Sequence, residues 1–189
     1  MAIPTIEDIL DEVLRSEGGF VEDPADPGGA TNRGISLRYA RGVGLDNDGD
    51  GDADRDDILR VTAEQVRDLY RADFWERPGI NRLPGEIQPV MLDWAVTSGP
   101  PRPVMALQRL ISMAQIGFEL DDDGVIGPKT RRAAEHAQAE MGPYLNNAIV
   151  DERLDFYRRL VARRPAAARF LYGWLARAER FRKETRIAA

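Results

Sequence analysis

The residue types that could do chemistry here are few, and their scarcity narrows the options. The 189-residue chain has one histidine, His136, and no cysteine. A Cys-His pair is therefore impossible, and a Ser-His-Asp triad would rest on His136 alone, with no G-x-S-x-G turn to present a serine. Catalytic zinc would need several imidazoles or thiolates that the chain does not have. No P-loop or dinucleotide fingerprint is present. Acid–base work would therefore fall to carboxylates. The best placed is Glu17 in "SEGGFVEDPADPGGATNRGIS", residues 16–36, which stands at a helix exit directly before two glycines. The negative end of a helix dipole disfavours the carboxylate anion and raises its pKa, which suits a general acid. Asp26 follows nine residues later and Thr31 five beyond that. A Gly/Pro-rich turn could bring both opposite Glu17, where they would hold a water across a glycosidic bond. On spacing alone, a solvated helix-end glutamate with a plain glycine C-cap accounts for these residues equally well.

A second cluster lies in "DNDGDGDADRDD". Counted from Asp46, the residues Asp46, Asp48, Asp50, Asp52, Asp54 and Asp57 occupy loop positions 1, 3, 5, 7, 9 and 12, with Gly51 at position 6. This is the oxygen pattern of an EF-hand loop, with Asp in place of the usual final Glu, as in the dockerin-type loops it resembles. It suggests a structural Ca2+ held by Asp46, Asp48, Asp50, Asp52 and Asp57, with a flexible acidic turn as the alternative, and no cofactor for catalysis. So dense a run of like charges would repel strongly without a cation.

The elements that must position these groups are mostly helical. Thr5 with Asp8 predicts a capping box opening a helix whose apolar residues Ile6, Ile9, Leu10, Val13 and Leu14 share one face, and Gly18-Gly19 stop it. "ATNRGIS" predicts a short strand or hairpin. Thr62 with Gln65 caps a second helix through "TAEQVRDLYRADFW". "EIQPVMLDWAVTSG" predicts a buried helix ending at Gly99, and "PRPVMALQRLISMAQ" another with proline near its start. A turn and helix follow in "DDDGVIGPKTRRAAEHAQAE", then a long helical region from Tyr144 interrupted at Pro165. The fold class is mainly α (α+β), in two regions: residues 1–100, with the Asp-rich loop 46–57 inserted, and residues 101–189, packed as one globular unit.

Charge is unevenly spread. The chain carries a net charge of −6, yet residues 151–183 hold ten basic residues against four acidic ones. Such a segment can steer toward anionic polymers, or be the solvated face of an amphipathic helix. "MAIPTIEDILDEVL" lacks the basic and apolar regions of a signal peptide, and no apolar run reaches membrane-spanning length. The expectation is synthesis in the cytoplasm without a signal peptide, with no stable membrane insertion and no nucleic-acid partner.

"EGGFVEDPADPGGATNRGIS" resembles the N-terminal signature of glycoside hydrolase family 108, lysozyme-like N-acetylmuramidases that cleave peptidoglycan. The Glu-x8-Asp-x4-Thr spacing is similar to the trio of phage-type lysozymes, which have one more residue before the threonine. "YRADFW" and "LDWAVTSG" look like later family blocks, the second usually written with Asn where Thr97 stands. "LQRL…DDDGVIGPKTRRA" resembles the family's C-terminal peptidoglycan domain. The resemblance implies a lysozyme-like fold with a small β-hairpin as one wall of the cleft, and Glu17 as catalytic acid with Asp26 and Thr31. It implies a substrate site including Asn32, Tyr39, Trp75, Asp93, Trp94 and Ser98, although each aromatic is more often simply core. The implied activity is that of an endolysin cleaving the β-1,4 bond between N-acetylmuramic acid and N-acetylglucosamine, which acts on the wall after release by a holin. A lytic transglycosylase and a non-catalytic wall-binding or secretion-associated module are the rival readings.

Overall fold

A computed structural model of the protein describes residues 3–16, 19–22 and 29–185. Helix α1 (Ile6–Ser16) opens on the expected capping box: Asp8 N donates to Thr5 Oγ1 at 3.1 Å and Thr5 N to Asp8 Oδ2 at 2.9 Å. This reciprocal pair satisfies two of the amide donors that a helix start leaves open. The chain divides into two compact units, Leu10–Arg71 and Met1–Ile9 with Ala72–Ala189, the division falling inside α1.

In the smaller unit, strands β1 (Thr31–Asn32) and β2 (Ile35–Ser36) pair antiparallel, with Thr31 opposite Ser36 and Asn32 opposite Ile35. The turn between them uses Arg33 and Gly34, both at positive φ (50° and 80°), the handedness that matches the twist of a two-residue hairpin. Helix α2 (Leu37–Val43) follows immediately, capped by the Ser36 hydroxyl, which accepts from Tyr39 N. No signal in the sequence marks this helix, because hairpin and helix share Ser36 with no intervening turn. Helix α3 (Arg55–Arg60) grows out of the acidic loop, and α4 (Ala63–Arg71) starts on the predicted Thr62/Gln65 box. A small apolar core holds Ala30, Ile35, Ala40, Ile58, Val61 and Val66.

In the larger unit, the chain runs on from α4 as a π-helical stretch (Ala72–Glu76), so "YRADFW" is not one regular α-helix. A short 3-10 turn (Ile80–Arg82) leads to α5 (Gln88–Ser98), whose residues Val90–Ala95 are all buried. A helix apolar on every side must be surrounded, and α5 is the axis on which α6 (Pro101–Met113) and α8 (Pro143–Arg163) pack. Helix α7 (Pro128–Met141) covers α6 and α8. Beyond Pro165, α9 (Ala168–Glu179) folds back along α8. Asn146 and Asn147 of α8 then clamp the last segment, their side-chain amides donating to Phe181 O (2.7 Å) and Lys183 O (2.9 Å).

One charged group lies at the centre of this packing. Asp93 is fully buried in α5; Arg153 of α8, also fully buried, reaches its Oδ2 at 2.6 Å. Arg177 of α9 contributes Nη2 to Oδ1 at 2.7 Å and Nε to both oxygens at 3.0 Å. Burial alone would raise the pKa of Asp93, but the two guanidinium groups outweigh it and hold the carboxyl below the ordinary carboxylate range. Its contribution to stability is therefore complete above the unfolded-state value of about 3.9 and is lost as pH falls through the depressed folded value. Asp93→Asn keeps the shape but leaves Arg153 buried against a neutral partner. Urea unfolding at pH 7 should show a loss of about 3–5 kcal/mol. The deficit should narrow in acid, where the wild type loses the same interaction.

Candidate active site

The frame around the expected acid is in place. Helix α1 ends at Ser16, one residue before Glu17, and β1 begins at Thr31. Glu17 and Asp26 themselves lie outside the described residues. Thr31 is half-buried; its backbone exchanges two 2.8 Å hydrogen bonds with Val21, tying the strand to the chain that leaves α1, and its hydroxyl donates to Gly29 O at 3.4 Å. Asn32 is buried, and its side-chain amide donates to Ile58 O of α3 at 2.9 Å. This bond pins the hairpin to the acidic loop's helix, so Asn32 serves the hairpin's position directly. Tyr39 is half-buried on α2 and packs on the small core.

The acidic loop is folded on its own backbone. Asp46 accepts from Gly49 N (2.6 Å) and Gly51 N (3.1 Å), Asp48 from Asp50 N (3.4 Å) and Asp50 from Asp52 N (3.1 Å). Gly49 and Gly51 take φ of 80° and 98°, which side-chain-bearing residues rarely adopt. Asp54 caps α3, and the fully buried Asp57 returns a bond to Asp54 N at 2.8 Å while taking Asn47 N at 2.5 Å. Those backbone donors, Asp54 first and Asn47 second, hold Asp57 below the ordinary carboxylate range. Asp48 is pushed up by desolvation and then by Asp50, and Asp52 chiefly by Asp50. Carboxylate oxygens of Asp46, Asp48 and Asp50 gather within 4.8 Å of one another, and those of Asp52, Asp54 and Asp57 form a second such group. The donors are all hard oxygens, the type that Ca2+ takes.

The remaining candidates stand in the larger unit. The Trp75 indole N–H donates to Gln88 Oε1 at 3.2 Å, joining the π-helical stretch to the start of α5. Trp94 is 1% exposed and Ser98 half-buried at the end of α5. Asp93, expected at the substrate, has both oxygens engaged by Arg153 and Arg177 instead. Thr97, where the resemblance expects Asn, bonds back to Asp93 O and Trp94 O (3.1 Å each) and meets Tyr157 Oη at 3.2 Å. The signal that could have found the arginines was a lone Asp inside "VMLDWAV", which requires a cationic partner; nothing in the sequence says which of many arginines supplies it. The "DDDGVIG" turn is locked to α6 by Gln108, whose amide donates to Asp123 Oδ1 (2.8 Å) and Val125 O (3.1 Å) and whose carbonyl oxygen accepts from Gly124 N (3.0 Å). Gly124 sits at φ 76° with Pro101 3.1 Å from where a Cβ would stand, so this turn requires glycine.

Residues 10–99 match glycosyl hydrolase 108, and residues 102–179 match a predicted peptidoglycan domain. The solved structure of SagA from Brucella abortus is similar at 31% identity, over 94% of this chain and 91% of its own, with a TM-score of 0.64. The chain belongs to glycosyl hydrolase family 108. No curated protein matches it. Family 108 membership makes the chain a glycosidase, and its second matched region directs it to peptidoglycan. The mainly helical, lysozyme-like fold with one small antiparallel hairpin is the one expected of the family 108 resemblance. No described helix is long and apolar enough to cross a membrane.

The Asn32 bond offers a direct test of how the hairpin is held. Asn32→Ala leaves the buried Ile58 carbonyl without its donor and should cost about 1–3 kcal/mol in urea unfolding. Far-UV circular dichroism should keep its helical signature, because no helix depends on that amide.

Proposed function

We propose that this family 108 enzyme is an N-acetylmuramidase of the endolysin type. It would cleave the β-1,4 bond between N-acetylmuramic acid and N-acetylglucosamine, with residues 1–100 as catalytic region and 101–189 as peptidoglycan-domain region. The observation that carries this reading is the "EGG" of the family signature falling directly at the exit of α1, with β1 opening on Thr31. Glu17 is the general acid, protonating the leaving oxygen. Asp26 and Thr31 hold the attacking water on the other face, as in an inverting mechanism. Release to the wall goes through a holin.

We also propose a structural Ca2+ in the acidic loop, for which Asp46, Asp48 and Asp50 supply one edge and the buried Asp57 the closing carboxylate. The ion would neutralise the repulsion from Asp50 that chiefly pushes Asp52 upward and that adds to desolvation at Asp48, and it takes no part in bond cleavage.

Glu17→Gln keeps the shape but has no proton to give. Turbidity clearing of purified sacculi should fall by about 10²–10⁴-fold while sedimentation with the wall persists. Mass spectrometry of the digest should show reducing muramic ends of α configuration from the wild type; anhydro ends would replace the hydrolase with a transglycosylase, and clearing undiminished by Glu17→Gln would remove the mechanism.

For the loop, calcium should raise Tm and a chelator should lower it, by mass action on the folded state. Asp46→Ala with Asp50→Ala should abolish that response. A wild-type melting curve indifferent to both additions means the loop folds on its hydrogen bonds alone.

A further inference from the structure

Five arginines from two distant stretches of the sequence meet in one cavity of the larger unit. It has a volume of about 730 Å³ and is lined by Arg102 and Arg109 of α6, Arg159, Arg163 and Arg164 from the end of α8, Glu152, and the apolar Trp94, Phe156 and Leu160. That volume falls in the roughly 300–1,000 Å³ range of small-ligand pockets. Glu152 takes two of the cations, Arg159 at 2.7 Å and Arg109 at 3.6 Å, and so fixes one side of the pocket. Arg109 is further anchored by Asp122 at 3.0 Å. Arg102 lies over the Phe156 ring, 5.1 Å from its centroid, and that ring is tilted against Trp94 at 5.9 Å. Among the described residues no carboxylate pairs with Arg102, Arg163 or Arg164.

A concave wall bearing five guanidinium groups and one carboxylate calls for an anion. The basic stretch noted in the sequence is thus not one solvated face: Arg158 turns to Asp155 at 2.7 Å and Arg182 to Glu179 and Asp151, while Arg159, Arg163 and Arg164 converge with α6. Arginine presents a planar fork that fits a carboxylate with two parallel bonds. The Phe156 and Leu160 side chains beside those forks suit an acid borne on an aliphatic chain better than a bare inorganic anion. Peptidoglycan offers that combination: its glycan strand is uncharged and its peptide stems carry the carboxylates.

We propose that this pocket binds carboxylates of the peptide stems and so holds the enzyme on stem-bearing glycan. The proposal rests on the reading of peptidoglycan as substrate, and it goes beyond bond cleavage.

The test measures sedimentation binding to sacculi in the Glu17→Gln background, so that cleavage does not erode the ligand. Three wall preparations are compared: untreated, with carboxyl groups amidated by carbodiimide and ethanolamine, and stripped of phosphate polymers by cold hydrofluoric acid. Amidation should weaken binding about tenfold or more, and phosphate stripping should not. Arg102→Gln/Arg163→Gln/Arg164→Gln should bind untreated wall about tenfold more weakly and be indifferent to amidation. Lys129→Gln/Arg158→Gln/Arg169→Gln, with the same change in net charge outside the pocket, should stay near the parent. Equal binding by the pocket variant overturns the proposal, and so does a parent that responds to phosphate stripping alone. If the pocket variant does not fold, amidation of the wall decides the matter with the parent. A parent that binds none of the three preparations overturns the substrate reading together with the pocket.

Discussion

Asp93 brings a full negative charge into the middle of a helix that is otherwise apolar on every side, and the larger unit is arranged around neutralising it. Arg153 comes from α8 and Arg177 from α9, so satisfying one carboxylate orients two helices relative to α5. Tyr157 and Thr97 extend the network, the tyrosine accepting from Arg153 Nε at 3.2 Å. A buried ion pair of this kind contributes little net energy over an apolar replacement, but it penalises any packing in which the partners fail to meet. The angular position of α8 that follows also presents Glu152, Phe156, Arg159 and Arg163 together on the side of that helix facing Arg102 and Arg109.

The smaller unit solves a different problem, because it has little core to work with. A cluster of six buried apolar residues lies at its centre, and much of the remaining order among the described residues comes from side chains that cap backbone donors. Ser36, Asp54, Asp57 and the Thr62/Gln65 pair each close a helix start, and Asn32 ties the hairpin to α3. Arg67 of α4 also meets Asp11 of α1. Polar closure of this sort leaves Asp46, Asp48, Asp50 and Asp52 gathered at the surface, where their mutual repulsion is the electrostatic cost.

Division of labour follows from composition. Carboxylates crowd the acidic loop of the N-terminal third, and arginines dominate the last helices. The chain's acidic net charge therefore says little about its local electrostatics, since five of its 26 Lys and Arg residues converge on one cavity.

Features that depend on neighbours along the chain can be read from the amino-acid order. Capping boxes at Thr5 and Thr62, the extended character of "ATNRGIS" and the buried character of "VMLDWAV" each rest on residues within a few positions, and all were legible. The family signature was legible for the same reason, being one continuous string. Where a helix followed a strand with no punctuation, as at Ser36, or where α4 widened into a π-helical stretch, local pattern carried no mark. Tertiary structure alone decided the fate of charges. Asp93 could have faced a cleft or a core, and only the approach of Arg153 and Arg177, 60 and 84 residues away, made the core tenable. The arginine cavity likewise joins residues 102 and 109 to 159, 163 and 164. A carboxylate or guanidinium takes its role from the charges that long-range packing puts beside it, and a linear pattern cannot supply that partner.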